Sequence, residues 1–203
     1  MSADDLAQWD ERHRASMGGA AAEPASFVTE LLPLLPQGPA LDLACGTGRH
    51  ALLLAGRGQH VTAVDGSAAA LDILEGRARE AGQPVRRIQN MGEGRRARFG
   101  LDLLHADLER VLLPRESFAV IVCVHYLQRC LFPQIERALA SGGMLLFETF
   151  TRTQLEFVGG PKNPEYLLDC GELRSAFPLL RLLFYRELRA EKGIASLIAR
   201  KPA

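Results

Sequence analysis

Three aspartates stand at or near the ends of short apolar runs: Asp42, Asp65 and Asp107. An ionised carboxylate only accepts hydrogen bonds, so it suits ribose hydroxyls, an exocyclic amino group or a cation. If the runs are parallel strands, their carboxyl ends share the edge of the sheet where ligands bind. The three acids therefore predict one polar, carboxylate-lined ligand site at this edge of the sheet.

A glycine-containing loop follows the first of these runs. Residues 40–43 form the apolar run, Gly46 and Gly48 follow, and an apolar helical pattern continues from Ala51. Glycines adopt positive φ and let a ligand approach the backbone closely, and the following helix directs unpaired N–H groups at that ligand. The stretch predicts a strand, a tight turn and a helix that together bind a nucleotide-like cofactor. A strand–turn–helix without a ligand is the alternative.

Two cofactor motifs overlap in this loop. Gly46-x-Gly48-x-x-Ala51 satisfies a loose dinucleotide fingerprint, with Asp65 downstream as a ribose-binding acid. The fuller string Asp-x-Ala-x-Gly-x-Gly over residues 42–48 resembles motif I of the class I S-adenosylmethionine (SAM) methyltransferases. SAM has no pyrophosphate, but it has a cationic methionine end that Asp42 can face.

The resemblance implies roles for further residues at the ends of the strands. An Asp-Leu pair after the third strand of this family binds the adenine, which here implies Asp107 and its neighbour. The cofactor-binding residues that we predict are Asp42, Ala44, Cys45, Gly46, Gly48, Asp65, Gly66, Asp107, Leu108 and Val124.

The residues after the fourth long apolar run, 118–124, should lie at the mouth of the site. His125, Tyr126 and Arg129 are the candidates for contact with the methyl acceptor. The sulfonium of SAM activates the methyl group, so a general base is needed only if the acceptor must lose a proton. Sulfur, selenium or tellurium acceptors would need none. His125 also fits a packing role, and Tyr126 could cap the adenine pocket.

Three further strings narrow the resemblance: Ala-Cys-Gly-Thr-Gly-Arg-His at 44–50, Pro-Glu-Tyr-Leu-Leu at 164–168 and Gly-Glu-Leu at 171–173. They look like a subgroup related to tellurite- and thiopurine-type small-molecule methyltransferases. The implied acceptor is a small molecule.

Composition excludes several classes of protein. The chain has 203 residues, 24 Lys+Arg and 24 Asp+Glu, which suits one domain over 1–203 with no global field for nucleic acid or anionic membranes. The four cysteines form no Cys-x-x-Cys pair, and no metal site is predicted. No apolar run approaches a membrane span of ~20 residues. We expect a cytoplasmic protein, monomeric or homodimeric, without a membrane partner.

Five strands alternate with helices, and residues 179–188 and 194–200 then predict a hairpin. Together with the resemblance, this indicates an α/β fold: a Rossmann-like, doubly wound, seven-stranded, mostly parallel sheet with a C-terminal antiparallel hairpin. Two segments fit it less well. Residues 1–22 are either a lid over the cofactor or a solvated arm. Residues 85–100 form an arginine-rich insertion that contains Arg86, Arg87, Arg95, Arg96 and Arg98.

Three alternatives to a small-molecule methyltransferase remain at this point. An NAD-dependent oxidoreductase would share the glycine loop and Asp65, but not the acid inside the first strand. A SAM-binding protein without catalysis would keep the whole pattern. An RNA methyltransferase would use the arginines of 85–100, although a solvated insertion explains them better.

Overall fold

A computed structural model describes residues 10–11, 13–14, 22–93 and 100–203. Its centre is a sheet of eight strands in the order β3-β4-β2-β1-β5-β6-β8-β7. The strands are β1 Ala40–Leu43, β2 His60–Asp65, β3 Val85–Ile88, β4 Gly100–His105, β5 Phe118–Val124, β6 Leu139–Phe150, β7 Arg181–Arg189 and β8 Gly193–Arg200. The helices are α1 Ser26–Leu31, α2 Arg49–Gly56, α3 Ala68–Glu80, α4 Phe132–Ala138 and α5 Glu172–Ser175.

Six strands, β1 to β6, pair in parallel, and β8 pairs antiparallel with both β6 and β7. The chain places β1 in the middle of the sheet, between β2 and β5. The strand order therefore reverses at β1, and the carboxyl ends of β1, β2 and β5 meet there. The doubly wound, mostly parallel sheet and its C-terminal hairpin are confirmed.

The sheet has one strand more than predicted. Residues 85–88, which we assigned to an insertion, form β3 and pair in parallel with β4. The two arginines in this short strand hid it, because consecutive charged residues are atypical of a buried strand. At this edge of the sheet, Arg86 and Arg87 stay exposed while Ile88 is buried.

Both faces of the sheet are buried, because successive side chains of a strand point to opposite faces. Leu41 and Ile121 belong to one hydrophobic core, and Ala40 and Val120 belong to the other. Helices that cover both faces explain why β5 reads as a nearly continuous apolar run.

Local signals place several boundaries. Ser67 caps α3, since its hydroxyl accepts the Ala70 N–H at 3.1 Å. Residues 141–143 lie inside β6, where the pairing with β5 shifts between Leu139 and Met144. Within the described residues, no helix combines the length and apolarity needed to cross a bilayer.

Candidate functional site

Asp65 connects the ends of β1 and β2. One carboxylate oxygen accepts the backbone N–H of Gly46 at 2.7 Å, and the other accepts that of Ser67 at 2.8 Å. Burial raises the pKa of Asp65, and these two N–H groups oppose that rise. Each oxygen keeps a second lone pair. The carboxylate is thus held at the carboxyl edge of the sheet with capacity for two more hydrogen bonds, which matches a ribose diol.

The glycine loop has a left-handed backbone, with φ of 54° at Ala44, 53° at Gly46 and 85° at Gly48. A Cβ on Gly48 would lie 2.0 Å from Cδ1 of Leu74 in α3. Gly48 is therefore required by the packing of α3 against the loop as well as by its φ. A Cβ on Gly46 would face the ring of His13 at 3.8 Å.

Asp42 is buried in β1 beneath this loop. Burial raises its pKa to about 7, which the N–H of Ala51 and the charge of Arg49 oppose and the charge of Asp65 reinforces. Its Oδ2 has no hydrogen-bond partner among the described residues. Unpartnered buried polar atoms are rare in native proteins. A carboxylate oxygen in this position fits the cationic methionine end of SAM, so the residues present suit that cofactor.

The predicted adenine-binding residues lie beside Asp65. Asp107 comes two residues after β4, and its Oδ1 accepts the N–H of Glu109 at 2.9 Å. The turn is joined to β2 because the N–H of Ala106 donates to the Asp65 carbonyl at 3.1 Å. The ring of His105 lies 3.0 Å from the carbonyl of Gly66. The structure thus brings the Asp65–Gly66 and Asp107–Leu108 turns together, with the Leu108 side chain itself buried.

His125 follows β5 in an unusual conformation, with φ of 61°. Its N–H donates to the Glu148 carbonyl at 2.7 Å, and its ring stacks on Phe150 with centroids 4.8 Å apart. Its Nδ1 lies 3.2 Å from Nη2 of Arg49. Burial, followed by the charges of Arg49 and Lys192, lowers the pKa of His125 to about 4. The imidazole is therefore neutral at pH 7.

Tyr126 is the second of the three candidates for contact with the methyl acceptor. The hydroxyl of Tyr126 is buried without a hydrogen-bond partner among the described residues, and burial raises its pKa. Tyr126 stays a candidate for ligand contact.

Arg129 has structural partners. Its Nε and Nη2 donate to the two oxygens of Glu172 at 2.6 and 2.8 Å. Nη1 donates to the Glu165 carbonyl and Nη2 to the Leu167 carbonyl, each at 3.0 Å. It lines an open cleft of about 340 Å³ with Glu109, Leu127, Gln128, Cys130, Glu165 and Tyr166.

Two polar residues at the candidate site had no role in the sequence-based predictions. Arg49 was part of the quoted motif without a role, yet its partly buried guanidinium reaches His125. Glu148 is buried in β6, where one oxygen accepts the Ser196 hydroxyl at 2.6 Å. The only sequence signals were a cation at the start of a helix after the glycine loop and an acid at the end of an apolar run.

The described part of the N-terminal arm contacts the start of α3. Oδ1 of Asp10 accepts the Ser67 hydroxyl at 2.8 Å and the Ala69 N–H at 3.0 Å. His13 lies over Gly46, and its charge acts to lower the pKa of Asp65. Trp9, in the same arm, lies outside the described residues.

The arginines of the 85–100 segment divide into two groups. Arg86 donates to both oxygens of Asp102, at 2.6 and 3.2 Å. Arg87 pairs with Asp72 at 2.6 Å and Glu75 at 2.9 Å. These two cations are thus neutralised by neighbouring acids. Arg95, Arg96 and Arg98 lie outside the described residues.

The chain matches a known protein family in sequence. The sequence profile of a family described as "Methyltransferase domain" matches residues 41–147, from β1 to β6. A search of curated proteins gave no significant match.

Solved structures resemble the fold at low sequence identity. TehB from Haemophilus influenzae has a TM-score of 0.70 at 18% identity over 92% of this chain and 65% of its own, so this chain spans about two thirds of TehB. An S-adenosylmethionine-dependent methyltransferase from Mesorhizobium loti has a TM-score of 0.64 at 19% identity, over 86% and 95% of the two chains. Geranyl diphosphate C-methyltransferase from Streptomyces coelicolor A3(2), in complex with S-adenosyl-L-homocysteine, has a TM-score of 0.61 at 16% identity, over 86% and 74%.

Proposed function

This chain belongs to the methyltransferase family, and from that premise we propose that it transfers the methyl group of SAM to a small molecule. SAM is the cofactor, as the motifs predicted. The observation that carries the proposal is the unpartnered buried Oδ2 of Asp42 beneath the glycine loop, next to an Asp65 carboxylate with two free lone pairs. Family membership argues against the alternative of an NAD-dependent oxidoreductase, which rested on the shorter motif Gly46-x-Gly48-x-x-Ala51.

In this proposal each cofactor-binding residue has a physical role. Asp42 pairs with the methionine ammonium, which satisfies its orphaned oxygen. Asp65 accepts the ribose hydroxyls, and the Asp107–Leu108 turn binds the adenine edge. The loop residues Ala44 to Gly48 bring the backbone close to the methionine moiety, since glycines carry no side chain to obstruct it. The remaining candidates, Gly66 and Val124, border the same edge of the sheet.

Bound SAM supplies a methyl group that its sulfonium has already activated. The protein must then hold a nucleophile in line with that methyl group and exclude water. His125 and Tyr126 carry buried polar atoms without partners among the described residues, so both can orient an acceptor. Arg129 instead shapes the acceptor side by holding the 165–172 segment through its bonds to Glu172 and two carbonyls.

Two features support a small acceptor that needs no general base. Arg129 lines an open cleft of about 340 Å³ that does not include His125 or Tyr126, and a volume of this order suits a small molecule. The pKa of His125 is lowered to about 4, and that of Tyr126 is raised. A weakly basic imidazole and a phenol that stays protonated are poor proton acceptors at neutral pH. A soft, readily ionised acceptor such as a thiol, selenide or tellurium oxyanion fits these groups. Among the described arginines of the 85–100 segment, Arg86 and Arg87 are ion-paired with neighbouring acids, so these two give no support to an RNA substrate.

The test combines cofactor binding with product formation. We expect calorimetry to detect SAM binding and methyl-labelled SAM to yield a methylated product with 4-nitrobenzenethiol, a thiol that is ionised at neutral pH. Asp65→Asn should weaken SAM binding about tenfold or more. The amide of Asn would place an N–H group opposite one of the N–H donors whose hydrogen bonds the carboxylate accepts. Asp72→Asn, at an exposed ion pair of α3, is the matched control and should bind SAM normally.

The remaining outcomes separate the alternatives. SAM binding without product from thiol, selenite or tellurite would leave a SAM-binding protein that lacks this activity. Turnover of an RNA fragment but none of the small molecules would replace the proposed acceptor class. Equal SAM affinity in the wild type and Asp65→Asn would reject the assigned ribose site.

A further inference from the structure

The partners of the His125 ring determine which of its nitrogens carries the proton. A guanidinium only donates hydrogen bonds, and Nη2 of Arg49 lies 3.2 Å from Nδ1 of His125. Two N–H groups would repel each other at that distance, so Nδ1 must present its lone pair. In a neutral imidazole the proton is then on Nε2.

That N–H group is buried, and no described residue accepts its hydrogen bond. Oε1 of Glu148 lies 3.9 Å from Nε2, beyond hydrogen-bond range. The other oxygen of Glu148 is held by Ser196 at 2.6 Å, with Arg186 3.8 Å away. Leaving a buried donor unpaired is unfavourable, so a bound molecule is the natural source of the missing acceptor.

We infer that Arg49 holds His125 in the Nε2–H tautomer, so that His125 donates a hydrogen bond to the methyl acceptor and does not act as its general base. This inference rests on the proposed function for the identity of the bound molecule, but the tautomer itself does not. Arg49 is a positioning residue, since it acts through His125. The acceptor must offer a lone pair to Nε2–H besides the one that attacks the methyl group.

Three features of the site agree with a His125 ring that is held in place as a hydrogen-bond donor. The left-handed φ of 61° at His125 is a strained conformation of the kind that clusters at functional sites. Stacking on Phe150 fixes the plane of the ring. The charged and titratable groups that face the ring are Arg49 and His50 from α2, Lys192 from the β7–β8 turn, and Glu148 from β6. Arg49 and Lys192 both disfavour the imidazolium.

The first test needs no acceptor. Long-range proton–nitrogen NMR of the labelled protein reports which ring nitrogen carries the proton in each of the five histidines, and His125→Gln assigns the signal. We expect Nε2–H at pH 7, with and without S-adenosylhomocysteine. An Nδ1–H tautomer would overturn the inference. Glu148→Gln should leave the tautomer unchanged, because Glu148 does not contact the ring within hydrogen-bond distance.

Substitution of Arg49 tests what fixes the tautomer. Arg49→Met should let Nδ1–H appear and should raise the pKa of His125 above about 4, because a neighbouring cation and donor is lost. Arg49→Lys is the matched control, since it keeps both the charge and donor groups. An unchanged tautomer and pKa in Arg49→Met would show that Arg49 has no such role.

A pair of amide substitutions tests the donor role during turnover of 4-nitrobenzenethiol. The amide of Gln can occupy the place of Nε2, and that of Asn the place of Nδ1. We expect His125→Gln to keep kcat/KM within about threefold of the wild type and His125→Asn to lose about tenfold or more. Equal losses would contradict a donor at Nε2. If no acceptor is methylated while NMR shows Nε2–H, the proposed function fails and the tautomer assignment stands.

Discussion

At the scale of single residues, Asp42 carries a buried carboxyl group at a cost in stability. Its carboxyl group is buried with one oxygen unpartnered among the described residues. Burial favours the protonated form, which raises its pKa from 3.8 to about 7. The unfolded chain ionises near pH 4, so the folded state binds one proton more than the unfolded state between about pH 4 and pH 7. The free energy of unfolding therefore falls as the pH rises through that window and is constant above it.

Asp42→Asn removes this titration. A shift from 3.8 to about 7 corresponds to at most about 4 kcal/mol. We expect the cofactor-free variant to match the wild type near pH 4 and to exceed its free energy of unfolding increasingly up to pH 7. Urea denaturation at pH 4.5 and pH 8 measures the difference. The same variant should bind SAM more weakly, because the ammonium loses its anionic partner. A pH-independent difference would contradict the raised pKa.

At the scale of elements, the loop between β1 and α2 packs closely against a neighbouring helix, α3. Gly48 and Gly58 have the same φ of 85°, but their surroundings differ. A Cβ on Gly48 would overlap the side chain of Leu74, whereas a Cβ on Gly58 would meet nothing within 4 Å. The two positions therefore separate backbone strain from packing.

Gly58→Ala should lower the free energy of unfolding by about 1–2 kcal/mol, the cost of a left-handed conformation for an L-residue. Gly48→Ala should lower it by about 1–3 kcal/mol more, since α3 or the loop must move to admit the methyl group. Chemical denaturation measures both. Gly48→Ala should also weaken SAM binding, because the loop must move away from its position, and adding Leu74→Ala should recover part of that affinity. Equal destabilisation by the two alanines would show that contact with Leu74 is unimportant.

At the scale of the whole molecule, one guanidinium joins segments that are far apart in the sequence. Arg129 follows β5, and its partners lie in the connection from β6 to α5: Glu172 and the carbonyls of Glu165 and Leu167. Bidentate bonds between Arg and a carboxylate are among the stronger polar contacts in proteins. This arrangement fixes the cleft between the two segments.

Arg129→Met should therefore loosen residues 156–167 and lower the free energy of unfolding by about 1–3 kcal/mol. Limited proteolysis should cut this segment faster in the variant. Arg152→Met is the matched control, because the Arg152–Asp169 pair is more exposed, at 52% and 63%, and surface pairs contribute little. If both variants are cleaved at the wild-type rate, Arg129 does not hold the segment, and its direct contact with the acceptor regains support.

The sequence by itself determined the alternation of strands and helices, the C-terminal hairpin and the glycine loop. These follow from short-range patterns: apolar periodicity, positions that require glycine and caps such as Ser67. Asp42, Asp65 and Asp107 could be grouped because parallel strands place their carboxyl ends at one edge. The contacts of these side chains could not be predicted from the sequence, because they depend on the order of strands in the sheet.

Only the tertiary structure decided the roles of Arg49, Glu148 and Arg129. Arg49 meets His125 across 76 positions of sequence, because β1 and β5 are neighbours in the sheet. Glu148 is buried opposite Ser196 because β8 pairs antiparallel with β6. Strand β3 was missed for a related reason, since its place at the edge of the sheet, where Arg86 stays exposed and pairs with Asp102, is a feature of the tertiary structure. Long-range pairing supplies the partners that neutralise or orient these side chains, and a linear pattern of residue types does not contain it.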